Sequence, residues 1–128
     1  MLDGKKSIAF KIFYDAVNII DEKKSTDDPG IEIFKQALQN SIPHVEVRSR
    51  RVGGATFQIP MQIRPDRKLS LGMKWLIMFS RKRNEKTMSQ KLANEVLSAF
   101  REEGATIKKK QDVHKMAEAN KAFSHFRF

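Results

Sequence analysis

The stretch Val45-Glu46-Val47-Arg48-Ser49-Arg50-Arg51-Val52-Gly53-Gly54-Ala55-Thr56-Phe57-Gln58-Ile59-Pro60-Met61-Gln62-Ile63 decides the fold. Its apolar period is two, whereas the rest of the chain repeats at about 3.6. Val45 and Val47 alternate with Glu46 and Arg48. After the glycine pair, Phe57, Ile59, Met61 and Ile63 alternate with Gln58, Pro60 and Gln62. Two such runs flanking Gly53-Gly54 predict a β-hairpin over about 45–63. Pro60 fits a two-stranded ribbon, whose outer edges need no N–H. A lone hairpin is marginal in water, so this one must lean on helices at its base. Its tip, with Arg48, Arg50 and Arg51, must then reach solvent or a ligand. Alternation puts Arg48 and Arg50 on one face and Arg51 on the other, so the ribbon is cationic on both sides.

The flanks are helical. Ile8, Ile12, Ala16 and Ile19, with Phe13, Val17 and Ile20, predict an amphipathic helix over about 5–22. Asp28 as N-cap and Pro29 as first helical residue open a second helix over 29–40, with Ile31, Phe34, Ala37 and Leu38 inward. Asn40-Ser41-Ile42-Pro43 closes it. A third helix is expected over 65–83, with Leu69, Met73, Leu76, Ile77 and Ser80 on its core side. On its opposite side Arg67, Lys74 and Arg81 recur every seven residues, with Trp75, Lys68 and Lys82 beside them. Thr87-x-x-Gln90 is a capping box for a fourth helix over 87–103, which Gly104 ends as a C′ residue. Lys108-Lys109-Lys110 lead into a last helix over 111–125, with Asp112 near its start. Val113, Met116, Ala117, Asn120 and Phe123 are expected to face in, and His114, Glu118, Lys121 and His125 to face out. The expected architecture is mainly α: one domain over 1–128, a bundle of five helices with one inserted, protruding two-stranded β-hairpin.

Charge narrows the function. The chain has 128 residues, no cysteine, and 25 Lys and Arg against 15 Asp and Glu, a net charge of +10. Disulfides and thiolate chemistry are excluded. Residues 48–91 hold 12 basic and 2 acidic side chains and so account for the whole excess. Seven of the 12 are arginines, whose planar forks match phosphate oxygens. Solubility alone requires neither arginine nor segregation. An anionic partner is expected. The Arg67–Lys74–Arg81 stripe spans about 21 Å at 1.5 Å per residue, long enough to follow several phosphates. Catalysis has little to stand on. His114 and His125, eleven residues apart, would lie about 16 Å apart along a helix, too far to share a metal ion. No nucleophile or phosphate-loop pattern is present. No metal or cofactor is expected, and no apolar run approaches a membrane span. Two rival readings are a free-standing regulator of DNA or messenger RNA and a basic interfacial helix over 67–83.

The sequence resembles the small-subunit ribosomal protein S-seven family, bacterial type. The matching stretches are Asp3-Gly4-Lys5-Lys6-Ser7, Pro43 with Val45 through Pro60, Arg64-Pro65, Trp75, Arg81-Lys82-Arg83, Lys86-Thr87-Met88, Leu92-Ala93-Asn94-Glu95, and His114 through Phe123. They cover essentially the whole chain in order. The resemblance implies a structural, non-enzymatic, ribosome-bound cytoplasmic protein. It implies binding to the 3′ major domain of 16S ribosomal RNA, organisation of the subunit head, and a position at the exit-tRNA site near the messenger RNA path. Other head proteins and the platform protein S-eleven are implied partners; a membrane is not. Residues expected at the ribosomal RNA are Lys5, Lys6, Arg48, Arg50, Arg51, Arg64, Arg67, Lys68, Lys74, Trp75, Arg81, Lys82, Arg83, Lys108, Lys109 and Lys110. Those expected near exit-site tRNA or messenger RNA are Arg51, Gly53, Gly54, His125, Phe126 and Arg127, with Phe126 lacking the hydroxyl usual in the family. Family members also carry a basic arm before the Gly-Lys-Lys motif and a tail after the last aromatic. Here three residues precede Gly4 and none follows Phe128, so contacts made by those arms are expected to be missing from this chain.

Overall fold

A computed structural model describes residues 2–24 and 26–121. The order is α1 (Lys6–Lys23), α2 (Gly30–Ser41), β1 (Val45–Val52), β2 (Ala55–Gln62), α3 (Pro65–Arg81), α4 (Met88–Phe100) and α5 (Gly104–Ala119). Five helices and one antiparallel hairpin are thus present among the described residues, as the alternating and helical periods require.

Helix α4 is the hub. It packs against all four other helices, and Leu92, Ala93, Val96, Leu97 and Ala99 bury between them. Around it close Ala16 and Ile20 of α1, Ile33 and Ala37 of α2, Leu76 of α3 and Ile107 of α5. The Thr87 capping box forms: its side chain accepts from the Gln90 N–H and Gln90 returns to the Thr87 N–H.

Several expectations from periodicity need correction. Helix α2 begins one residue late, with Pro29 as its extended N-cap and no cap bond from Asp28. Its opening N–H, on Gly30, donates instead to Asp21 Oδ1 of α1 at 2.6 Å. A Cβ at Gly30 would stand 2.8 Å from that oxygen, so only glycine admits this approach. The buried line of α2 is Ile33, Ala37 and Ser41, while Ile31 is exposed and Phe34 and Leu38 are half-buried. In α1, Ile8 is exposed. In α3 the buried line is Gly72, Leu76 and Ser80, and Leu69, Met73 and Ile77 remain 41%, 45% and 36% exposed. Gly72 sets that rotation: its missing side chain lets α3 close on Leu38 and Ile42, which a Cβ would meet at 3.2 and 3.1 Å.

The α4–α5 corner also differs. The helix ends at Phe100, not 103. The Glu103 N–H donates to Ser98 O at 2.8 Å and the Glu102 N–H to Ala99 O at 3.0 Å, the paired bonds of a Schellman stop. The C′ residue is therefore Glu102, at φ +58°; Gly104 also has a positive φ, +88°, but is not the helix stop. Gly104 instead opens α5, which starts seven residues earlier than position 111. Lys108, Lys109, Lys110 and Asp112 all lie inside that helix. Met116, expected inward, is 53% exposed, whereas Ala117 is buried. Phe123 and His125 lie outside the described residues.

Candidate nucleic-acid interface

The ribbon's geometry follows from its turn. Gly53 and Gly54 have φ of +59° and +85°, the two positive values that a tight two-residue hairpin needs. The register then pairs Arg51 with Thr56, Arg50 with Phe57, Arg48 with Ile59 and Val47 with Pro60. Bonded and non-bonded pairs alternate outward from Val52–Ala55, which puts Pro60 at a non-bonded position where its missing N–H costs nothing. Opposed residues share a face. Arg48 and Arg50 therefore lie on the side of Ile59 and Phe57, and Arg51 lies on the other, as alternation predicts. Val45 and Val47 sit on the face opposite to Ile59 and Met61, so the two strands' apolar sets do not coincide.

Two side chains hold the ribbon root. Arg67, at the start of α3, forks onto Glu46 of β1: Nε donates to Oε1 at 2.8 Å and Nη2 to Oε2 at 3.0 Å. Those bonds, then the charge of Glu46, raise the Arg67 pKa above its ordinary value. On the other side, the His44 N–H donates to His114 Nε2 of α5 at 3.0 Å. His114 thus packs on the hairpin rather than facing out beside Glu118 as the helical wheel predicts.

The expected cationic residues divide into two groups. Arg67 is spent on Glu46. Arg83 is spent on Glu85 (3.0 Å) and on Glu95 (3.0 Å). Glu95 is 1% exposed and also accepts from the Thr106 N–H at 3.2 Å and the Thr106 hydroxyl at 2.9 Å. That carboxylate caps the first turn of α5 from α4, where helix polarity favours an anion. Burial lowers the Arg83 pKa and its two carboxylate partners raise it, and the partners win. Lys110 donates to Asn40 O at the end of α2. Lys109 lies 6.0 Å over the Trp75 ring, so half-buried Trp75 is an interhelical packing residue with a cation on its face.

The second group stays at the surface. Arg51, Lys68, Lys74, Arg81, Lys82 and Lys108 form no salt bridge among the described residues. Lys82 lies 5.3 Å over Phe79 and Lys6 lies 5.6 Å over Phe10. Arg64 approaches Asp66 only to 3.8 Å, with both side chains largely exposed. Arg48 and Arg67 line one recess with Glu46, Val47 and Ser49. Lys5 and Arg81 line one apolar groove between α1, α3 and α4. Surface cations thus lie on the ribbon, along α3 and at the start of α1. Gly53 and Gly54 stand at the ribbon tip; His125, Phe126 and Arg127 lie outside the described residues. Sequence reasoning missed Glu46 and His114 as ribbon anchors. The lone carboxylate in the hairpin stretch 45–63 was the available signal for Glu46; His114 had none.

Among the described residues no three His, Asp or Glu side chains group as a metal site. Among the same residues no helix is long and apolar enough to cross a membrane.

The family model described as "Ribosomal protein S7p/S5e" matches residues 1–121. The "Small ribosomal subunit protein uS7" of Christiangramia forsetii is 74% identical over 129 residues, covering 100% of this chain and 82% of the relative. That of Flavobacterium johnsoniae is 70% identical over the same shares. That of Gemmatimonas aurantiaca is 59% identical, covering 100% and 81%. The chain belongs to this ribosomal protein family, and its role is that of a structural component of the small ribosomal subunit in translation, not an enzyme.

Proposed function

We propose that residues 1–128 act as one RNA-binding domain that seats on the 3′ major domain of 16S ribosomal RNA and organises the subunit head. As a family member its partners are ribosomal RNA and small-subunit proteins, and it is ribosome-bound. The single observation that supports the finer reading is that Arg51, Lys68, Lys74, Arg81, Lys82 and Lys108 form no salt bridge among the described residues, which leaves a track of surface cations for phosphates. Phosphate contacts along such a track fix orientation without reading sequence. The helical body carries the track as a rigid wedge, and the ribbon reaches past it. At the ribbon tip, Arg51, Gly53 and Gly54 face the exit-site tRNA and the messenger RNA path. Lys5, Lys6, Arg48, Arg50, Arg51, Lys68, Lys74, Arg81, Lys82 and Lys108 meet the RNA directly. Arg64 joins them across its loose contact with Asp66, and Trp75, Lys109 and Lys110 border the track from inside the body. Arg67 and Arg83 shape the surface instead. Other head proteins and platform protein S-eleven complete the surroundings, in the cytoplasm.

The test is binding to a transcribed 3′ major domain against short duplexes at the same salt concentration. Preference for the folded domain, with co-sedimentation on small subunits in high salt, is the expected result. Equal affinity for both would overturn the reading in favour of a non-specific nucleic-acid binder.

A further inference from the structure

The root of the ribbon is closed by an unusual pairing. His44 O accepts from the Ile63 N–H at 3.1 Å and so ends the β1–β2 ladder. The His44 N–H does not return to the ladder; it donates to His114 Nε2 at 3.0 Å. The two imidazoles lie nearly parallel, 23° apart, with centroids 5.8 Å apart. Pro43, just before, is fully buried, which anchors the chain entering the ribbon. An Nε2 that accepts a hydrogen bond carries no proton, so His114 is neutral here with its proton on Nδ1.

We infer that His114 is a positioning residue: its unprotonated Nε2 latches the ribbon root to α5 and thereby sets the direction in which the cationic ribbon points. The opposite side of the root is held by the Glu46–Arg67 fork from α3, so the ribbon is gripped between two helices. Only the α5 grip titrates in the range of cellular pH. A proton on Nε2 turns the acceptor into a donor facing another donor, and the latch opens. Burial first, then the charge of Lys110 one turn away on α5, then His44, lower the His114 pKa and keep the latch closed at neutral pH. β1, β2, α2, α3 and α4 also pack on α5, and no carboxylate from any of them acts on the ring. The latch itself does not depend on the RNA reading; only its consequence for binding does.

The absence of cysteine makes the test direct. Thr56→Cys near the ribbon tip and Asn18→Cys on α1, both exposed, take a donor and an acceptor dye, and energy transfer reads the ribbon's direction in the free full chain. At about pH 7.5 the parent and His114→Gln, whose amide oxygen can accept the same bond, give one narrow distance distribution. His114→Phe, which keeps a ring but no acceptor, broadens it. At about pH 5 the parent broadens and His114→Gln does not. Binding to the transcribed 3′ major domain at about pH 7.5 falls about two- to tenfold in His114→Phe, the loss expected for one hydrogen bond. An unchanged distribution in His114→Phe, or one in the parent that ignores pH, overturns the latch. A broadened ribbon with undiminished RNA affinity leaves the latch standing and counts against the ribbon's role in the proposed function.

Discussion

Replacing Glu95 by Ala removes the centre of the corner where α3, α4 and α5 meet. The carboxylate is 1% exposed and takes bonds from Arg83, the Thr106 N–H and the Thr106 hydroxyl. The Thr106 N–H is buried and belongs to the first turn of α5, so it has no helical acceptor and its loss costs about 1–3 kcal/mol. Arg83 keeps Glu85 and is 30% exposed in its side chain, so its share is small, about 1 kcal/mol or less. Lost packing around the vacated carboxyl adds about 1 kcal/mol. The total is about 2–5 kcal/mol, and its upper part matches what breaking a buried ion pair usually costs. At about 2.1 cal/mol/K per residue, unfolding of 128 residues carries roughly 0.27 kcal/mol/K, so Tm should fall by about 7–19 °C. Thermal and urea unfolding followed by circular dichroism measure both quantities. Glu95→Gln keeps an acceptor for Thr106 and should lose less. A drop below about 4 °C in Glu95→Ala, with the urea slope unchanged, refutes the assignment of this corner as a stability element. Arg83→Ala should weaken the fold but leave the salt slope of RNA binding untouched. A slope reduced by about 0.7–0.9 would return Arg83 to the RNA surface.

Simultaneous Ala replacement of Arg48, Arg50 and Arg51 should flatten the log–log salt slope of RNA binding by about 2–3, whereas Arg67→Ala should change it little; filter binding over a salt series measures both. Glu102→Gly should raise stability by about 0.5–1 kcal/mol, because glycine relieves the left-handed backbone at φ +58° more than it adds unfolded-state entropy; the gain appears as a Tm about 2–4 °C higher. The depressed His114 pKa makes stability depend on pH. The unfolded chain gains a proton near the ordinary value of 6.5, while the folded chain resists until lower pH. The contribution is thus complete above about pH 6.5, declines as pH falls toward the folded pKa, and declines no further below it. The same scan on His114→Gln should lack that decline.

Elements with a strong local cause were legible from residues alone. The Gly53-Gly54 hairpin, the Thr87–Gln90 capping box and Pro65 at the first turn of α3 each carry their own geometry. The direction in which each helix turns its apolar side was not legible. Leu69, Met73 and Ile77 have the right period for a core face, yet Gly72 and Gly30 permit closer approaches that rotate the burial onto neighbouring lines. The start of α5 was hidden for a related reason: its cap comes from Glu95, nine residues before Gly104, so no local N-cap motif marks the helix start.

The interface divides the same way. Composition and order along the chain determined that a cationic surface exists and that the ribbon carries part of it, since charge count and strand alternation are one-dimensional properties. Which cations remain at that surface is a matter of three-dimensional distance. Arg67 and Arg83 look no different in sequence from Arg51 and Arg81. Only folding brings Glu46 within 2.8 Å of Arg67 and Glu95 within 3.0 Å of Arg83, because a carboxylate 12 or 21 residues away neutralises a guanidinium only once the chain has closed between them.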